Sequence, residues 1–132
     1  MNGLWRHFIR YQLPALLWAV VIFVASSIPS SRLPKFALTL NDRFVHGAIF
    51  FIFGLLVYRA LARRIPVERI DRMRLLISVS AVILYGISDE FHQGFVPGRS
   101  FDVRDTLADA AGGICSAIVI YLHAIRKRQP QS

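Results

Sequence analysis

The chain has 132 residues, 55% of them hydrophobic, a mean hydropathy of +0.47 and a formal charge of +8. This composition is too apolar for a soluble domain of that size and places the chain among membrane proteins. The charge gathers at the ends of apolar runs without interleaved aromatics or a folded binding motif, which excludes nucleic acid as the expected partner. The single cysteine, Cys115, rules out a disulfide framework.

Hydrocarbon about 30 Å thick is crossed by roughly 20 apolar residues at about 1.5 Å each. The first run, Leu13 to Ile28, contains Leu16-Leu17-Trp18-Ala19-Val20-Val21-Ile22-Phe23-Val24, which has no polar side. A soluble four-helix bundle needs a polar face opposite a core stripe on each helix, so this run argues against one. Arg6 and Arg10 before the run, and the small residues near Ala25 to Ser27, also fit a cleaved signal peptide. That alternative leaves three spans and strands the segment from Ser26 to Pro29. Ser26-Ser27-Ile28-Pro29 with Pro34 reads instead as a shaped exit, where proline stops the helix and the serines cap it or bond to the interface.

The second run, Phe44 to Leu61, opens on Asp42 and His46, four apart and therefore on one helix face. A basic loop from Arg59 to Arg74 follows, suited to anionic headgroups. The third run, Arg74 to Ser88, leads into Asp89-Glu90-Phe91-His92-Gln93. If the helix persists past Ser88, then Tyr85, Asp89 and His92 align. The first and third runs are short, so they are expected to recruit flanking polar residues or to thin the bilayer.

Between Phe95 and Phe101, Pro97-Gly98 is a turn pair that folds the chain back toward the membrane, with Ser100 or Asp102 available to cap the next helix. The fourth run spans Asp105 to Ile125. Asp102, Asp105 and Asp109 stand at i, i+3 and i+7, and Gly112, Gly113 and Ser116 extend that stripe with small residues that admit a neighbouring helix. Cys115 is expected to be a buried, inert thiol, and His7 and His123 to be interfacial residues.

These elements specify an all-α fold, an integral membrane four-helix bundle forming one domain over 1–132, with spans at about 13–28, 44–61, 74–88 and 105–125. Positive residues are retained in the cytoplasm during insertion. With both termini inside, eleven Lys and Arg residues are cytoplasmic and five are outside. The acids divide the other way: Asp42, Asp89, Glu90, Asp102, Asp105 and Asp109 fall outside, and only Glu68 and Asp71 inside. An outer polar site is the consequence. A carboxylate in a membrane helix costs up to about 3 kcal/mol at the centre and less near the interface, so Asp109 needs a partner. Arg99, Arg43 and His46 are the candidates.

The ordered residues Ser26-Ser27-Ile28-Pro29, Pro34, Asp42-Arg43, His46, Gly54-Leu55-Leu56 and Arg59-Ala60 resemble the VanZ-like membrane proteins. So, more specifically, do Tyr85-Gly86, Asp89-Glu90, His92-Gln93, Pro97-Gly98-Arg99, Asp102, Asp105, Asp109 and Gly113. Members often carry Lys where Arg43 stands and Asn where Asp109 stands. The resemblance covers most of the chain. It implies a multi-pass protein of the bacterial cytoplasmic (inner) membrane, from a family sometimes linked to lowered susceptibility to teicoplanin-type lipoglycopeptides, and it supplies no agreed activity.

Three functions are compatible with these residues. In the first, Asp42, His46, Asp89, Glu90, His92, Gln93, Arg99, Asp102, Asp105 and Asp109 form an outer cluster that binds a membrane lipid headgroup or a lipid-anchored antibiotic. Arg99 is then the phosphate or carboxylate ligand, oriented by His92, Gln93 and Asp89, with Phe95 and Phe101 against acyl chains. In the second, an enzyme acts on a lipid-linked phosphate or ester, with Asp89 or Glu90 as general base, His92 as proton carrier and Arg99 stabilising developing charge. A divalent metal on His46, His92 and the carboxylates is a variant of that reading. No spacing matches a strong motif such as H-E-x-x-H, so neither a metal nor another cofactor is expected. In the third, the cluster is a structural network in a protein that works through a partner. The sequence sets no oligomeric state.

Overall fold

The computed structural model describes residues 3–32, 42–61 and 72–127, with Asp42 described by its backbone alone. Pro34, Lys35, Glu68, Asp71 and the tail from Arg128 lie outside these residues. Among the described residues, four helices are long and apolar enough to cross a membrane: α1 (Gly3–Ser26), α2 (Asp42–Ala60), α3 (Arg72–Gln93) and α4 (Val103–Arg126). The chain is a multi-pass helical membrane protein.

Its interior and exterior are reversed relative to a water-soluble bundle. Glu90, Asp109, Ser78 and Ser116 are among the most completely buried side chains, beside Phe50 and Val82. Leu16, Leu17, Val20, Val21 and Val24 on α1, and Leu107, Ile118 and Leu122 on α4, are exposed. Lipid tails are as apolar as these side chains, so burial confers no advantage on them, whereas polar groups must find partners inside the protein.

The first and third spans are longer than their apolar runs. At about 1.5 Å per residue, the 24 residues of α1 and the 22 of α3 cover the hydrocarbon without any thinning of the bilayer. On α1 the helix continues upstream of Leu13 through a π-helical turn, Phe8–Gln12. Pro14 has no N–H to offer the Arg10 carbonyl four residues back, which is where the regular ladder fails. Arg59 of α2 donates from Nη2 to that carbonyl at 3.2 Å and lies over the Tyr11 ring. On α3 the helix runs on through Gln93 because its last turn buries Asp89, Glu90 and Gln93 against neighbouring helices.

The central helix is α4, which packs most extensively on α2 and then on α3, while α1 leans on α2 and α3. Close approach of α2 and α4 depends on missing side chains. A Cβ on Gly112 would strike the Gly47 carbonyl and stand 2.9 Å from the Phe51 nitrogen, and Gly54 abuts Ser116. The small-residue stripe on the fourth span is therefore its packing face. The outer helix α1 is fastened by side-chain bonds to backbone carbonyls: Trp18 Nε1 donates to Ile49 O at 3.1 Å, and Tyr85 Oη donates to Ala19 O at 2.6 Å. Cys115 is exposed on α4 rather than buried, since the stripe through Gly112 and Ser116 turns the residue beside it outward.

Candidate functional site

One end of the bundle collects the C-terminus of α1, the N-terminus of α2, the C-terminus of α3 and the N-terminus of α4. The chain links these ends through the turn after α3. Arg99 N–H donates to Val96 O at 3.0 Å, closing a turn over Pro97 and Gly98 in which Gly98 has φ 75°. That combination, proline second and a left-handed glycine third, is the type II pattern. The Pro97 carbonyl accepts from Ser30 N–H at 3.4 Å, which joins the turn to the exit of α1.

The turn sets Arg99 on the wall of a cavity of about 460 Å³. Arg99 Nε donates to Ile28 O at 3.3 Å and Nη1 to Gln93 Oε1 at 3.4 Å. Gln93 in turn donates from Nε2 to Asp89 Oδ2 at 3.0 Å, and Ser26 Oγ lies 2.5 Å from Asp89 Oδ1. Asp89, Gln93 and Arg99 thus form one connected line along the cavity wall, tied to α1 through Ser26. Ile22, Ile49 and Phe50 supply an apolar part of the same wall.

A second polar group lies beside the first. His46 Nδ1 is 3.0 Å from Asp109 Oδ1, so of the three partners expected for Asp109, the imidazole is the one it meets. Glu90 is fully buried and accepts at Oε2 from the Asp102 backbone N–H at 3.1 Å. Ligand atoms of His46, Glu90 and Asp109 lie within 4.8 Å of one another, a grouping that could hold a metal ion. His92 is not part of it, so the metal variant that paired His46 with His92 does not match this geometry.

The other sequence candidates are placed as follows. Asp102 caps α4, accepting from Arg104 N–H at 2.8 Å, and also lines the cavity. Its backbone is extended, so the helical stripe begins at Asp105, another cavity residue. His92 stands apart: its Nε2 is 2.8 Å from Ser27 Oγ and its ring stacks on Phe23, 4.6 Å between centroids. It neither lines the cavity nor bonds to Arg99. Glu90 is likewise absent from the cavity wall. Of Asp42 only the backbone is described, at the start of α2. Phe95 and Phe101 flank a separate shallow apolar recess with Phe91 and Gly94.

Ser26 was readable only as a cap or interfacial group, and its contact with Asp89 connects residues 63 apart in sequence. Gly86 likewise gave no local signal, yet a Cβ there would stand 2.9 Å from both Cβ and Oδ2 of Asp109. Among known proteins, residues 11–125 match the family model described as VanZ/LLP1. No curated protein and no solved structure matches the chain.

Proposed function

From the premise that this chain belongs to the VanZ/LLP1 family, we propose that its cavity binds the anionic headgroup of a membrane amphiphile, a lipid or a lipid-anchored glycopeptide of the teicoplanin kind. In this reading the protein resides in the bacterial cytoplasmic membrane with both termini inside, and the cavity opens near the outer surface. The observation that carries the reading is the wall itself. Arg99, held by Gln93 and Ile28, meets an apolar surface from Ile22, Ile49 and Phe50 within one cavity of about 460 Å³. An amphiphile has the same two parts.

Arg99 has five N–H donors, and its hydrogen bonds among the described residues use Nε and Nη1. Nη2 remains for a phosphate or carboxylate oxygen. Asp89, Asp102 and Asp105 on the same wall repel an anion that strays from the guanidinium and accept hydrogen bonds from sugar or amide groups beside it. This supports a headgroup that carries both an anion and hydroxyls, rather than a bare phosphate.

A second reading, an enzyme acting on a lipid-linked phosphate or ester, is favoured by the 2.5 Å contact of Ser26 Oγ with Asp89 on the cavity wall. A hydroxyl beside a carboxylate is the minimal nucleophile and base pair. Asp89 is the candidate base here, because Glu90 is spent on the Asp102 backbone.

The deciding experiment expresses wild type and Arg99→Ala at matched membrane levels in a sensitive host, and compares susceptibility to teicoplanin with that to vancomycin, which lacks a lipid tail. Charge-assisted hydrogen bonds contribute about 1.5–3 kcal/mol, so the variant should bind roughly ten- to a hundredfold more weakly. Teicoplanin-selective protection that disappears in the variant supports the antibiotic as ligand. Absence of protection from the wild type excludes it. A lipid headgroup remains the ligand only if anionic-lipid binding to the purified protein also falls with Arg99→Ala.

A further inference from the structure

We propose that His46, Glu90 and Asp109 form a binding site for one divalent transition-metal ion of the Zn²⁺ kind, behind the cavity wall at His46. The proposal does not depend on which amphiphile the cavity takes. Three helices supply the donors: α2 gives an imidazole, and α3 and α4 give one carboxylate each. Their ligand atoms lie within 4.8 Å of one another. The imidazole nitrogen and one Asp109 oxygen are already 3.0 Å apart. Two ligands bonded to one ion at about 2.1 Å stand roughly 3–3.5 Å apart, the spacing that this pair already has.

A further observation points to a ligand at this place. Asp109 is fully buried, and its Oδ2 has no hydrogen-bond partner among the described residues. Buried polar atoms are nearly always satisfied, and an exception calls for an ion or a water that completes it. That oxygen also packs against Gly86, where any larger residue would place Cβ 2.9 Å from Oδ2, so glycine at this position is what lets α3 approach the carboxylate. Gly86 is one helical turn before Glu90 on α3, so the glycine that admits Asp109 and the second carboxylate share a face.

Charge favours the same conclusion. Glu90 and Asp109 are both fully buried within a membrane bundle, and neither pairs with Lys or Arg among the described residues. Glu90 accepts from the Gln93 amide and the Asp102 N–H, and Asp109 meets the His46 imidazole; two buried carboxylates remain costly unless a cation offsets their charge. One nitrogen and two oxygen donors suit Zn²⁺ or Mn²⁺ better than Mg²⁺, which holds its waters. The ligands are held from behind, since the Asp102 N–H fixes Glu90 Oε2 at 3.1 Å. His46 lines the cavity as well, so an ion on it has a route in and a coordination position facing the cavity.

The test uses the full chain, purified in lipid nanodiscs, stripped with chelator and dialysed against micromolar Zn²⁺, with bound metal counted by mass spectrometry. The expected result is about one Zn²⁺ per chain and a rise in Tm on binding. Both should be lost in Asp109→Asn and in Glu90→Gln, which keep shape, and retained in Cys115→Ser, on the exposed face of α4. Co²⁺ in place of Zn²⁺ should give visible absorption of a nitrogen and oxygen site that vanishes with the same two variants. Wild type without stoichiometric ion overturns the proposal even if the variants fail to fold. Folded variants that bind as much Zn²⁺ as wild type overturn it equally.

Discussion

Asp89 shows how a single carboxylate is accommodated at the end of a membrane helix. It receives Gln93 from its own helix and Ser26 from α1, so its partners come from two sides. The Ser26 contact ties α1 to the polar end of α3, beside the stacking of His92 on Phe23. Interhelical hydrogen bonds in membranes average about 0.6 kcal/mol and reach about 1.7. The Ser26 to Asp89 contact is short and buried and involves a carboxylate, which puts it toward the upper end. Ser26→Ala is therefore expected to lower stability by about 1–2 kcal/mol, read as a downward shift in thermal or denaturant unfolding in micelles. A change indistinguishable from zero would mean that water replaces the hydroxyl and that the cavity is wet at that point. Arg99 follows the same logic: its direction comes from the turn at Gly98 and from its hydrogen bonds to Ile28 and Gln93. His92, attractive in sequence because it stands beside the acidic pair, faces Ser27 and Phe23 instead.

Among the elements, the pairing of α2 with α4 is the tightest and the most sensitive to added volume. The two glycines that face each other across it are not equivalent. Beside Gly112 lie the Gly47 carbonyl and the Phe51 nitrogen, both backbone and unable to move without separating the helices. A Cβ on Gly47 would meet the Ala108 carbonyl at 3.4 Å, an ordinary contact. Gly112→Ala is thus expected to destabilise by about 2 kcal/mol or more, and Gly47→Ala by less than about 0.5 kcal/mol, since overpacking is costly only where neighbours cannot yield. Equal effects in an unfolding titration would show that this interface is looser than its geometry requires. The π turn of α1 belongs to the same scale. It exists because Pro14 interrupts the ladder, and it is tolerated because Arg59 reaches the carbonyl involved.

For the whole molecule, the decisive property is orientation. Among the described residues, the ends that carry the site also carry the acids, while most basic residues gather at the opposite ends, and membrane insertion acts on such an asymmetry. In a Cys115→Ser background, Phe95→Cys should react with a membrane-impermeant maleimide in intact cells, and Lys127→Cys only after permeabilisation. Both positions are well exposed. The reversed pattern would put the cavity in the cytoplasm and remove extracellular antibiotics from its ligands. Membership of the VanZ/LLP1 family over residues 11–125 and the reversed distribution of polar and apolar residues agree on the setting. The identity of the ligand rests on the cavity.

Some of this was fixed by the order of residues along the chain. Four long apolar runs dictate helices, because the backbone has no other way to satisfy its hydrogen bonds in hydrocarbon. Pro97-Gly98 dictates the turn, and Gly112 with Ser116 the packing stripe, because these depend on local sterics and helical spacing. Tertiary structure alone decided the rest. That Asp109 meets His46 and not an arginine, that Ser26 meets Asp89, and that Gly86 admits a buried carboxylate are relations between residues on different helices. That α1 and α3 outrun their apolar runs was equally hidden. Hydropathy measures the side chain's preference for lipid, and the extra turns are held by contacts with neighbouring helices, which no single helix encodes.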